Sequence, residues 1–176
     1  MLRQFATDDV DPLCVLFGDP RVTRYLYWEV RDRATSQWAL ERSLNYPIEL
    51  GAENVLPVAV TLADNGELIG DFMLRWKDDE HRQGEMGGTL LPREHGRGYA
   101  TEVYGALLAI GFNTYQLHRI EGKCDARNTA SIRSLEKAGL HEEARLVENE
   151  FVKGEWTDEV VMAIRRSQWT ESASHP

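Results

Sequence analysis

One stretch leaves this chain few ways to fold: an apolar strand-like run that stops at a proline, breaks into a turn with two glycines and passes at once into an amphipathic helix. Gly88-Thr89-Leu90-Leu91 is the run, Pro92 its end, and Arg93-Glu94-His95-Gly96-Arg97-Gly98 the turn. Glycines 96 and 98 lack the Cβ that bars unusual backbone angles, so successive N–H groups can point into one concave space. The helix adds its own unpaired N–H groups and the positive end of its dipole. The product is an anion cradle, most naturally one for phosphates. A dinucleotide fingerprint would need a third glycine where Thr101 stands, and a P-loop would need Gly-Lys-Ser/Thr after the turn. Neither fits.

Arg93, Gly96 and Gly98 do match the pattern Arg/Gln-x-x-Gly-x-Gly/Ala, and here the chain resembles the GNAT acetyltransferases, whose pyrophosphate loop has that form. Two further segments agree. Asn128-Thr-Ala-Ser131 running to Glu136-Lys137-Ala-Gly139-Leu140 resembles the family's Asn-x-x-Ser…Glu-Lys-x-Gly-Phe helix. Gly154-Glu-Trp156-x-Asp158 resembles the tail of the RimJ/RimL branch, the ribosomal-protein N-terminal acetyltransferases. The resemblance spans about residues 1–169. It implies an acetyl-CoA-dependent transferase acting on a primary amine, either a protein N-terminus or a small molecule, and a homodimer.

The bulk numbers fit one domain over residues 1–169 followed by a flexible tail, 170–176. The chain has 176 residues, 42% hydrophobic and 28% charged, enough to bury a real core. The formal net charge of −9 argues against a nucleic-acid binder and mildly favours a cationic substrate. No apolar run approaches the ~20 residues that span a bilayer, and no signal-peptide pattern opens the chain, so it is expected to be cytoplasmic with no membrane partner. Cys14 and Cys124 stand far apart with no metal-ligand neighbourhood, so no metal is expected.

Taken in order, residues 2–5 read as a short strand, with Thr7 or Asp8 capping a helix over 8–18. A stretch rich in aromatics, 21–30, precedes a helix over 35–45 with Trp38, Leu40 and Leu44 on its apolar side. Apolar runs at 57–63 and 67–76 flank Asp64-Asn65-Gly66, a hairpin signal in which both Asn and Gly tolerate positive φ. A charged loop, 77–84, leads to a strand over 85–91, where Gly87-Gly88 suggests a bulge or a close approach to the backbone. A helix over 97–115 carries an apolar stripe of Val103, Ala106, Leu107, Ile110 and Gly111. Residues 118–124 form a strand, Asn128 caps a helix to Lys137, and Gly139 ends it. Strands over 142–152 and 158–164 close the chain around Lys153-Gly154. The class is α+β: a mixed, largely antiparallel sheet of six to seven strands with helices on both faces. The family adds that the fourth and fifth strands splay apart.

Amide formation from a thioester needs a proton acceptor for the amine, an oxyanion donor and a proton source near the sulfur. Glu85, on the strand leading to the glycine turn, is the candidate base, acting directly or through water; it also reads as a solvated carboxylate beside Asp78, Asp79 and Glu80. Many family members carry a tyrosine seven residues after the asparagine, and Leu135 stands there. Ser131 matches the RimJ/RimL serine instead, which implies a hydroxyl donor to the sulfur. Its other reading is a helix-start serine bonded to its own backbone. By the same resemblance Asn128, the backbone of Leu90 and Leu91, Arg93, Arg97 and the N–H groups from Gly96 through Tyr99 to Ala100 hold the cofactor. Tyr27 and Trp28 are either acceptor contacts or core and rim aromatics. A competing function is a catalytically silent acyl-CoA-binding module that senses the cofactor.

Overall fold

A computed structural model describes residues 1–46, 55–78 and 80–169; the expected tail at 170–176, and Asp79 of the charged loop, lie outside them. Seven strands form one sheet in the order β1-β2-β3-β4-β5-β7-β6: β1 Leu2–Arg3, β2 Val55–Thr61, β3 Leu68–Asp78, β4 Gln83–Leu90, β5 Arg119–Asp125, β6 His141–Val152 and β7 Glu155–Arg165. All neighbours are antiparallel except β4 and β5. The helices are α1 Val10–Phe17, α2 Pro20–Thr23, α3 Arg33–Asn45, α4 Tyr99–Ala109 and α5 Thr129–Lys137.

The local signals explain most boundaries, with instructive shifts. Neither Thr7 nor Asp8 caps the first helical turn; the buried Asp9 does that work, accepting from Ala6 N–H at 2.8 Å while pairing with Arg3. Asp32, not Thr35, opens α3 by accepting from Thr35 N–H at 2.8 Å. On α3 only Ser36 and Leu40 are buried; Trp38 is 53% and Leu44 39% exposed, so the expected apolar side is narrower than its residues suggested. At Asn65-Gly66 only the glycine takes a positive φ (73°), and Asn65 instead uses its side chain to accept from Glu67 N–H. The expected helix over 97–115 is α4 followed by a π-helical turn, Ile110–Thr114, where a Cβ on Gly111 would stand 2.5 Å from Ile120 Cδ1. Lys153 and Gly154 both have positive φ and close the β6–β7 hairpin, whose second strand starts three residues earlier than expected.

Gly87-Gly88 makes no bulge, since the β3–β4 register runs evenly through Phe72↔Gly88 and Met73↔Gly87. The close-approach reading holds at Gly88: a Cβ there would sit 2.3 Å from Phe72 Cγ. Phe72 in turn meets Tyr104 of α4 edge-on at 5.4 Å, which fixes α4 over the face carrying Phe72 and Leu74. Asp71, Met73 and Arg75 alternate to the opposite face, where α1 packs on β3 and α3 on α1.

The feature that positions a site is the β4–β5 junction. Only Gln83↔Arg119, Gly84↔Ile120 and Glu85↔Glu121 pair. Beyond them β4 continues to Leu90 and β5 to Asp125 with no partner between them, and Leu135 of α5 lies against Gly122 near the fork. No helix among the described residues is long and apolar enough to cross a membrane.

Candidate active site

Two cavities flank the fork between β4 and β5. One, of about 580 Å³, lies under the glycine turn and is lined by Leu90, Gly96, Gly98, Tyr99, Ala100, Thr101 and the first turns of α5. The other, of about 650 Å³, lies under the segment before α3 and is lined by Tyr27, Trp28, Trp38, Asp71, Glu85 and Gly87. They share Phe72, Gly88, Thr89, Tyr104, Asn128 and Ser131, so they meet where the strands part.

The first cavity suits an extended, phosphorylated ligand. Gly96 (φ 76°) and Gly98 (φ 89°) take the left-handed backbone that opens the turn, and nothing lies within 4 Å of where their Cβ atoms would be. Gly98 precedes α4 with no side-chain cap, so the first N–H groups of the helix face the cavity without an internal partner. Arg21, Arg24, Arg133 and Lys137 add positive charge to the lining. Arg93 and Arg97 do not line it: Arg93 pairs with Glu67, and Arg97 with the buried Glu94 at 2.8 Å. Leu91 N–H donates to Ile69 O at 2.8 Å across the sheet, so by strand alternation the amides facing the fork are those of Gly88 and Leu90 rather than Leu91. His95, inside the turn, contributes ring Nε2 to Leu90 O at 3.1 Å.

At the junction the Asn128 carboxamide oxygen accepts from Ser131 N–H at 3.2 Å, capping α5 and leaving its NH₂ as the group available to a ligand. The Ser131 hydroxyl touches both the Tyr104 hydroxyl and the Cys124 thiol. Burial pushes Tyr104 up to about 12 and Cys124 up to about 11, so both stay protonated at neutral pH. Tyr104 escapes a sequence reading because it stands outside the stripe of Val103, Ala106, Leu107, Ile110 and Gly111, and only packing brings it to Ser131. No tyrosine follows Asn128 by seven residues, yet a phenol from another helix stands beside Ser131.

On the second cavity's wall Glu85 lies opposite Arg75, and Thr89 opposite Asp71. A rise of about 3.3 Å per residue separates Glu85 from Thr89 by roughly 13 Å along β4. Asp71, not Glu85, is thus the carboxyl beside the junction. Burial pushes the Asp71 carboxyl up to about 7, with the nearby Arg31 charge pulling the other way. Among the described residues no cation lies within ion-pair distance of it, and the buried Thr89 Oγ1 across from it has no hydrogen-bond partner. In the sequence Asp71 falls inside the apolar run at 67–76 and draws no reading of its own. Tyr27 donates to the buried Glu159 at 2.7 Å, and Trp28 packs edge-on against Phe17 at 5.3 Å; both face the cavity, Tyr27 from its rim.

Comparison with known proteins agrees with this geometry. Residues 1–141 match the family model of the GNAT acetyltransferase domain. The chain is 32% identical over 169 residues to the N-acetyltransferase YnaD of Bacillus subtilis (strain 168), an uncharacterized protein, covering 96% of this chain and 95% of that one. A GNAT-family acetyltransferase from Bacillus anthracis superposes with a TM-score of 0.83 at 27% identity, covering 94% of each chain. The fold is also that of the spermidine N-acetyltransferase of Vibrio cholerae solved with CoA and spermine, at a TM-score of 0.78, 23% identity and 96% coverage of each chain. A forked seven-stranded sheet with a glycine-turn cradle on one side of the fork, matched over most of its length, makes this chain a member of the GNAT family of acetyltransferases, enzymes whose acetyl donor is acetyl-CoA.

Proposed function

We propose that the protein moves an acetyl group from acetyl-CoA to a primary amine, with the donor in the cavity under the glycine turn and the acceptor in the cavity before α3. One observation carries this: two cavities of substrate size meet at Gly88, Thr89 and Ser131, through the gap where β4 and β5 cease to pair. The N–H groups of the Gly96–Ala100 turn and the positive lining receive phosphates, and the outward amides of Gly88 and Leu90 receive the pantetheine as an added strand would. Arg93 and Arg97 contribute only by leaving Glu67 and Glu94.

The bound thioester supplies an electrophilic carbonyl and a thiolate leaving group. Asp71, poised near neutrality, takes the first proton, which turns the acceptor ammonium into a nucleophile. Glu85, farther out on the same wall, draws the ammonium inward and reaches it through water. The amine's second proton leaves as the C–N bond forms and the C–S bond breaks. It ends on the departing sulfur, to which the Ser131 hydroxyl donates with the Tyr104 phenol behind it. The outward N–H of Gly88 meets the charge that builds on the carbonyl oxygen. Ser131 and the Gly154–Asp158 segment support the RimJ/RimL branch by resemblance, and the acceptor of the proposal is a primary amine of either a protein N-terminus or a small molecule.

Release of free CoA across a panel of N-terminal peptides, amino acids, polyamines and aminoglycosides tests this. Ser131→Ala and Glu85→Gln are each expected to lower acceptor-dependent release at least about tenfold, roughly 1.4 kcal/mol of transition-state stabilisation. Tight CoA binding with no release for any acceptor would overturn the proposal in favour of a silent sensor.

A further inference from the structure

Among the described residues, two arginines that line the acceptor cavity have no carboxylate within ion-pair distance. Arg31, just before α3, lies over the Trp28 ring at 3.8 Å and the Phe17 ring at 4.7 Å. Arg42, on α3, lies over Trp38 at 4.8 Å and donates to the Tyr46 hydroxyl at 2.6 Å. Both line the cavity, and among the described residues neither has a carboxylate within 4 Å. Two other charges on the same wall are engaged: Lys123 faces Glu159 at 3.7 Å, and Asp125 is held by Arg127 at 2.6 Å.

Aromatic stacking fixes each guanidinium plane while leaving its N–H fork open, and the fork is the shape that fits a carboxylate. The two cations also sense each other. Burial lowers the Arg31 pKa, the Asp71 charge opposes that, and the Arg42 charge lowers it further. Like charges held together in a half-enclosed cavity raise the energy of the empty site, and an anion between them offsets that cost. A second cationic group of the acceptor would meet repulsion between these two arginines. The exposed Trp38, out of place on a helix face expected to be apolar, gains a reason as the platform that orients Arg42.

We infer that the acceptor is a primary amine that also carries a carboxylate, an amino-acid-like molecule whose anionic end sits between Arg31 and Arg42 and whose amine faces Asp71 at the junction. The inference rests on the transferase reading above and names its substrate class.

The test compares each amino acid with its own carboxamide, and both with spermidine, following CoA release by wild type, Arg31→Gln and Arg42→Gln. The carboxylate form is expected to exceed its amide by about tenfold or more in kcat/KM, and either variant should abolish that preference, mainly through KM for the acceptor. The KM for acetyl-CoA should stay unchanged, and Arg42 is exposed, so the fold of its variant is not at risk. Amides or spermidine turning over as well as carboxylates would overturn the inference, as would a preference that survives both substitutions. Calorimetric binding of N-acetylalanine against N-acetylalaninamide, with CoA present, reads the same subsite without turnover. Selective binding of the acid that is lost in Arg42→Gln, alongside no turnover of any amine, would overturn the transferase reading and keep the subsite; no such selectivity would overturn the subsite.

Discussion

At the scale of single residues, Asp71 makes the clearest demand. Its carboxyl is raised to about 7 by burial, so it is protonated below neutrality and becomes a proton acceptor above it. The acetylation rate should therefore climb with pH through about 7, and Asp71→Asn should remove that limb and lower kcat/KM by about a hundredfold. Arg31→Gln removes a nearby charge that favours the ionised form, so the limb should move to higher pH. A pH profile of kcat for the three proteins settles both points. The same group carries a stability consequence of known sign. Its folded pKa stands above the unfolded value of 3.8, so the stabilisation is complete below about 3.8 and is lost as pH rises through about 7. Asp71→Asn should then be the more stable protein at pH 8, by at least about 1 kcal/mol in denaturant titrations, while being the poorer catalyst. An Asn variant equal to wild type in both stability and rate would sink the assignment.

At the scale of elements, the fork depends on how closely β3 and β4 lie together. A Cβ at Gly88 would meet Phe72 Cγ at 2.3 Å and Asp71 O at 2.7 Å, whereas one at Gly87 would have Met73 Cε at an ordinary 3.8 Å. Gly88→Ala should cost about 1–3 kcal/mol by overpacking, and Gly87→Ala within about 0.5 kcal/mol of nothing, as equilibrium unfolding would report. Equal losses at both positions would refute the close-approach account. These neighbours also mark where a sequence reading stops. The glycine turn, the Asn128 cap, the Gly139 terminus and the Lys153-Gly154 hairpin were legible because each rests on local backbone chemistry. Tyr104 and the half-buried Asp71 drew no reading from the sequence, because periodicity does not say what stands opposite a phenol on a helix or a carboxyl inside an apolar run. Trp38 read as apolar packing because helical spacing cannot tell a core from a cavity wall. The loss of β4–β5 pairing after three residues is a long-range property of two strands joined through α4, and only the resemblance to a family announced it.

At the scale of the whole molecule, the sheet is close to being two sheets. β1 to β4 form one pleated surface and β5, β7 and β6 another, and three residue pairs at Gln83–Glu85 join them directly. The donor cavity spans that seam, with β4, the glycine turn and α4 on one side and α5 on the other. A ligand bound there ties the two surfaces together and stabilises only the folded chain, by about 2.7 kcal/mol when its concentration is a hundred times its Kd. For a chain of this size about 1 kcal/mol moves Tm by roughly 2–4 °C, so saturating CoA should raise Tm by roughly 5–10 °C. Hydrogen exchange locates the effect. The Gly88 and Leu90 amides, which face the fork and not β3, should exchange rapidly in the free protein and slow when CoA is added. The Leu91 amide, already bonded to Ile69 O at 2.8 Å, should change little. A rise in Tm with Gly88 and Leu90 unprotected would mean that CoA binds by its phosphates alone and leaves the fork open. That outcome would remove the added-strand contact from the mechanism while sparing the cradle.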